Sequence, residues 1–128
     1  MIEQSRIAVF GLEDALNEEL RSVLDQRHYK IYSQPYRSAS DCVEAIRKTR
    51  ANIAFCPAAP DLYRPLLEAL RKRSSRIPVI VVSRLAEVPQ WLDAMEAGAS
   101  DYCSAPFEAK EIGWILENAL KARAAAAA

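Results

Sequence analysis

The amino-acid sequence predicts an α/β fold, a five-stranded parallel sheet with helices on both faces. Three observations predict it. Five short apolar runs alternate with segments whose apolar residues recur at helical spacing, and such alternation implies right-handed crossovers between parallel strands. The stretch from Ile77 to Val82 is apolar at nearly every position, as a strand covered on both faces must be. The chain's 128 residues, 51% of them hydrophobic, suit one globular domain.

The elements follow in order. Arg6 to Phe10 is a strand ending at Gly11, and Leu12, Leu16, Leu20, Val23 and Leu24 then mark one face of a helix reaching about Arg27. Tyr29 to Ser33 is a short second strand stopped by Pro35. Ser38 or Ser40 caps the next helix, with Ala39, Val43 and Ile46 inward. Ile53 to Cys56 is the third strand. Asp61 begins a helix carrying Leu66, Leu67 and Leu70, and Pro65 places its start late, because proline is tolerated in the first turn only. After the strand Ile77 to Val82 comes a helix with Leu92 and Met95 inward, flanked by Ala94 and Ala97 and closed by Gly98, which suits a left-handed position. Ser100 to Cys103 is the fifth strand. Ala105-Pro106-Phe107 leads into a last helix with Ile112, Ile115, Leu116, Ala119 and Leu120 inward.

Composition removes several function classes. The 17 basic and 17 acidic side chains cancel, so no strong field draws the domain to nucleic acid or to a membrane. The cluster Arg71, Lys72, Arg73 and Arg76 reads as a solvated helix end. No apolar run reaches the roughly 18 residues that span a bilayer, and the N-terminus lacks the regions of a signal peptide; a cytoplasmic location is expected. Cys42, Cys56 and Cys103 lack the spacing of a zinc site or redox dithiol and are expected to be reduced and mostly buried. Gly11, Gly98 and Gly113 form no phosphate-cradling loop, and His28 falls at the end of the sheet opposite the expected chemistry. Neither a cofactor, a metal nor an enzymatic activity is expected.

In open α/β sheets, ligands gather at the carboxyl ends of the strands. That directs attention to Gly11, Leu12, Glu13, Cys56, Ser83 and the stretch from Cys103 to Ala105. Three segments around these positions, Asn52-Ile-Ala-Phe-Cys-Pro-Ala-Ala-Pro-Asp61, Ile77-Pro-Val-Ile-Val-Val-Ser83 and Ala94-Met-Glu-Ala-Gly-Ala-Ser-Asp-Tyr-Cys-Ser-Ala-Pro-Phe107, carry a resemblance. In this order and spacing the chain, over residues 5 to 121, resembles the receiver domain of two-component response regulators. The resemblance implies a flavodoxin-like three-layer (βα)5 sandwich with strand order 2-1-3-4-5. The receiver-like domain is expected over residues 1–123, and 124–128 as an Ala-rich tail (a linker, a scar or disordered).

The same resemblance implies roles position by position. Cys56 stands where the family carries its phosphoacceptor aspartate, Gly11 and Leu12 where it carries an acidic pair, and Ala105 where it carries a lysine. Glu13 matches a further acidic position. Ser83 matches the family's hydroxyl residue, and Tyr102 an aromatic position that changes rotamer on activation. The Ala105-Pro106 bond is expected to be cis. Phosphorylation in the family needs magnesium, which demands hard oxygen ligands, and a cysteine sulfur is a poor substitute. The expectation is a degenerate receiver, not phosphorylated in the usual way. It acts through protein contacts on the face of the fourth helix, fifth strand and fifth helix, with Trp91, Asp101, Tyr102, Lys110, Glu111 and Trp114. Its partner is an output domain, a sensor kinase or a second copy of itself. The alternative is a redox or ligand-sensing switch centred on Cys56, reached through a partly open pocket. Asp61 and Glu13 are conceivable substitute acceptors, but both lie off the strand end.

Overall fold

The computed structural model describes residues 5–27, 29–85 and 88–127. Strands and helices alternate as β1 (Arg6–Phe10), α1 (Asp14–Asp25), β2 (Lys30–Gln34), α2 (Ala39–Thr49), β3 (Ile53–Pro57), α3 (Pro60–Lys72), β4 (Val79–Ser83), α4 (Val88–Glu96), β5 (Asp101–Ser104) and α5 (Ala109–Ala127). The strands form one parallel sheet in the order β2-β1-β3-β4-β5. His28 lies outside the described residues.

Strand alternation divides the core between the two faces. Ile7, Val9, Ile53, Phe55, Ile80 and Val82 pack with Leu16, Leu20 and Leu24 of α1 and with Ile112, Ile115 and Leu116 of α5. Ala8, Phe10, Ala54, Cys56, Val79 and Val81 pack on the other face with Val43 and Ile46 of α2, Leu66 and Leu70 of α3 and Ala94 of α4. Both faces are covered by helices, which is why the strands read as nearly unbroken apolar runs. Each large side chain so buried contributes about 1.5–3 kcal/mol.

Several expected boundaries and faces change. β2, β4 and β5 each sit slightly later than expected, and β3 runs one residue further, to Pro57. That proline is tolerated because the N–H groups of Ala54 and Ala58 point to β4. By alternation the missing N–H of Pro57 faces β1, whose pairing with β3 stops at Val9 and Phe55. Of the two candidate caps for α2, Ser38 is the cap, its Oγ accepting from the Asp41 N–H at 3.0 Å. α3 starts early rather than late. Pro60 is suited to the first helical position, and Pro65 sits inside the helix, giving up one intrahelical bond on an exposed surface while Tyr63, Leu66 and Leu70 anchor the buried face. The inward face of α4 is also corrected. Leu92 is 49% exposed and Met95 37% exposed, while Ala94 is fully buried. α5 continues through Ala124 to Ala127.

Candidate functional site

β1, β3, β4 and β5 end at one rim, and the loops leaving them carry the positions singled out above. Ser83 closes β4. Its Oγ donates to the Leu85 carbonyl at 2.7 Å and accepts from the Tyr102 hydroxyl at 2.9 Å. Tyr102 is buried, and its hydroxyl also lies 3.5 Å from Gln90 Oε1 of α4. The tyrosine therefore points inward beneath α4, and it belongs to the expected contact face as a buried member. Ala105 donates its N–H to the Ser83 carbonyl at 3.0 Å, and the Ala105–Pro106 bond is cis.

Glu13 precedes the first turn of α1, yet its carboxylate does not cap that helix. It crosses the rim to Arg84, which bonds it through Nε and Nη2. Arg84 follows Ser83 directly, and the pair joins two loops 71 residues apart in sequence. Sequence reasoning passed over Arg84, because nothing in its neighbours announces a partner so distant.

Gly11 has φ +65° and donates its N–H to Gln34. A Cβ placed on it would come within 2.8 Å of Tyr36 Cβ and 3.5 Å of Pro57 Cγ. The first contact is shorter than real Cβ atoms tolerate, so this position has no room for an acidic side chain. Tyr36 is held where it is by its own hydroxyl, which donates to the Leu62 carbonyl at 2.6 Å.

Cys56 points into the core rather than onto the open rim. Cys56 is fully buried and belongs to the core cluster that also contains Cys42 and Tyr63, with Tyr36 packed against it. It is Pro57 that reaches toward Gly11. Burial pushes the Cys56 thiol well above its ordinary range, and the neighbouring Cys42 adds to the effect. Cys42 is itself pushed up to about 12, mainly by burial. A reactive thiol needs the opposite shift and access to solvent. The expected partly open pocket at Cys56 is thus corrected, and the geometry does not favour a switch centred there. All three cysteines are free and buried.

Magnesium requires several hard oxygen ligands. Here Gly11 and Leu12 supply no side-chain oxygen, and the Glu13 carboxylate is engaged by a guanidinium. Among the described residues no group of three or more His, Cys, Asp or Glu side chains is arranged to hold a metal ion. The residues present do not fit the ion. Asp61 lies in the first turn of α3 and lines a groove beside that helix.

Beyond the rim, Trp114 is 64% exposed and Trp91 43% exposed. Lys110 and Glu111 are exposed on α5, and Asp101 is half-buried, its Oδ1 accepting from the Tyr102 N–H at 2.8 Å. No helix among the described residues is long and apolar enough to cross a membrane.

No family model matches the chain. It is 23% identical over 127 residues to the transcriptional regulatory protein FixJ of Bradyrhizobium diazoefficiens, covering 94% of this chain and 59% of that protein. It is 28% identical over 109 residues to the transcriptional regulatory protein CseB of Streptomyces avermitilis, covering 84% of this chain and 46% of CseB. The chain thus spans about half the length of these curated relatives. Among solved structures, the receiver domain of NtrX from Brucella abortus superimposes with a TM-score of 0.75 at 20% identity, covering 90% of this chain and 98% of that domain.

Proposed function

We propose that this chain is a degenerate receiver domain of the two-component response-regulator family, signalling through protein contacts without the usual aspartyl-phosphate cycle. One observation carries the reading. The rim is occupied by an ion pair, Glu13 with Arg84, where phosphoryl chemistry needs free carboxylates and a metal. Gly11 supports it, because its surroundings exclude the side chain that a metal site would require. The absence of a nucleophilic carboxylate at Cys56 or Pro57, and of a lysine at Ala105, points the same way.

The surface offered to a partner is the side of α4, β5 and α5. Trp91 and Trp114 present large apolar area, with Lys110, Glu111 and Asp101 as polar surroundings. Exposed tryptophans of this kind are frequent anchors of protein interfaces. The partner is a protein: an output domain, a sensor kinase or a second copy of the chain.

The test is direct. The protein is incubated with magnesium and a small acyl phosphate and its intact mass recorded; no phosphoryl gain is expected, and a stable gain of one phosphoryl group overturns the reading. A magnesium titration followed by tryptophan fluorescence is expected to be silent up to millimolar metal, since Trp91 lies on the helix that follows the rim.

A further inference from the structure

α4 is attached to the rest of the protein in an unusual way. Of residues 89–96, Ala94 is the one that is buried, while Trp91, Leu92 and Met95 are exposed. Trp91, Leu92 and Met95 keep 43%, 49% and 37% of their surface exposed, so they contribute less to the hydrophobic effect than fully buried side chains would. The polar attachment of α4 is extensive. Tyr63 of α3, whose side chain is completely buried, donates its hydroxyl to Asp93 Oδ2 of α4. The adjacent Arg64 bonds both oxygens of the same carboxylate, from Nε to Oδ2 at 3.2 Å and from Nη2 to Oδ1.

Tyr63 and Arg64 are 30 and 29 residues from Asp93. Beside them a groove of about 750 Å³, lined by Arg64, Glu68, Glu96 and Ala97 among others, leaves space along the two helices. Among the described residues, the side-chain hydrogen bonds between the two helices converge on one carboxylate. Hydrogen bonds to an ionised group are roughly twice as strong as neutral ones, and a bidentate guanidinium adds a fixed orientation.

We infer that Asp93 is the clasp that positions α4. The Tyr63–Asp93–Arg64 set, more than apolar packing, holds this helix against α3 and so fixes how Trp91, Leu92 and Met95 are displayed. The consequence for partner contact rests on the functional reading above; the clasp itself does not. The buried phenol gives the clasp a fixed origin, because the Tyr63 ring is locked in the α2–α3 core. The carboxylate is the movable half, carried on a helix that buries Ala94 alone among its described residues.

Native-state hydrogen exchange on the full chain tests this with two variants. Asp93→Asn keeps the shape and removes the charge. Tyr63→Phe keeps the ring in the core and removes the hydroxyl alone. Amides of residues 90–96 in α4 are compared with those of residues 112–120 in α5. In Asp93→Asn the α4 amides are expected to exchange about tenfold faster, with a smaller acceleration in Tyr63→Phe, while α5 stays within about twofold of the parent. Unchanged α4 exchange in both variants overturns the inference. So does equal acceleration in α4 and α5, which marks a general loss of stability. Neither result depends on whether the rim accepts a phosphoryl group, so failure of the clasp and failure of the functional reading are seen separately.

Discussion

α4 and α5 flank β5 on opposite faces of the sheet, and they are held there by different chemistry. α5 buries Ile112, Ile115, Leu116 and Ala119 against strand residues Ile80, Val82 and Cys103. α4 offers Ala94 to the opposite core and depends on Asp93, on Gln90 near Tyr102, and on the hydrogen bonds around Ser83. Apolar burial is non-directional and tolerates small shifts, whereas hydrogen bonds and ion pairs break over short distances. The difference separates a fixed wall from an element whose position is set by a few polar atoms.

The comparison can be broken most forcefully with one substitution made on each helix. Leu116→Ala in α5 is expected to cost about 2–5 kcal/mol in urea unfolding, since Leu116 is fully buried. Leu92→Ala in α4, where the leucine is largely exposed, is expected to change stability by no more than about 0.5 kcal/mol. Similar losses at the two sites would mean that α4 is packed after all. An intermediate effect, below that of Leu116→Ala, comes from Tyr102→Phe, which removes the hydroxyl bonded to Ser83. About 1 kcal/mol is expected, with faster exchange at the start of α4 and none at α5.

The smallest effect sharpens the contrast through pH. Arg64, and then Tyr63, hold the Asp93 carboxyl below its usual range by hydrogen bonding. A depressed carboxyl contributes stability that is present above its unfolded value of about 4 and is lost as pH falls through the lower folded value. Acidification below about pH 4 should therefore loosen α4 before α5. Glu44 and Glu68 are shifted downward in the same way by Arg47 and Arg71. The share of the α4 response abolished by Asp93→Asn is the part that belongs to the clasp. An acid response identical in parent and variant would remove Asp93 from the account.

The sequence made the strands, their alternation with helices and the inward face of α5 legible, because burial on both sides of the sheet leaves a periodic apolar signature. Ser83 and Ala105 were found for a different reason: the resemblance matches them to the family's hydroxyl and lysine positions, at and just after strand ends. The face of α4 was misread because apolar residues were assumed to point inward, and here the small Ala94 does so while Leu92 and Met95 do not. Cys56 was placed at the rim by the resemblance together with a strand end expected one residue before the observed one at Pro57. Arg84, Tyr63 and Asp93 escaped notice for a different reason. Their bonds join loops and helices far apart in sequence, and a lone exposed charge carries no mark of the residue it will meet.

The crowding around Gly11 couples two positions far apart in sequence. Tyr36 fills the volume that any longer side chain at position 11 would need, and Leu62 secures it there through its carbonyl. Mutations toward an acidic rim are consequently ordered: the tyrosine must yield before the glycine can change, and the first step disturbs a well-packed neighbour without returning any chemistry. An acidic side chain at position 11 is therefore expected to need a companion change at Tyr36.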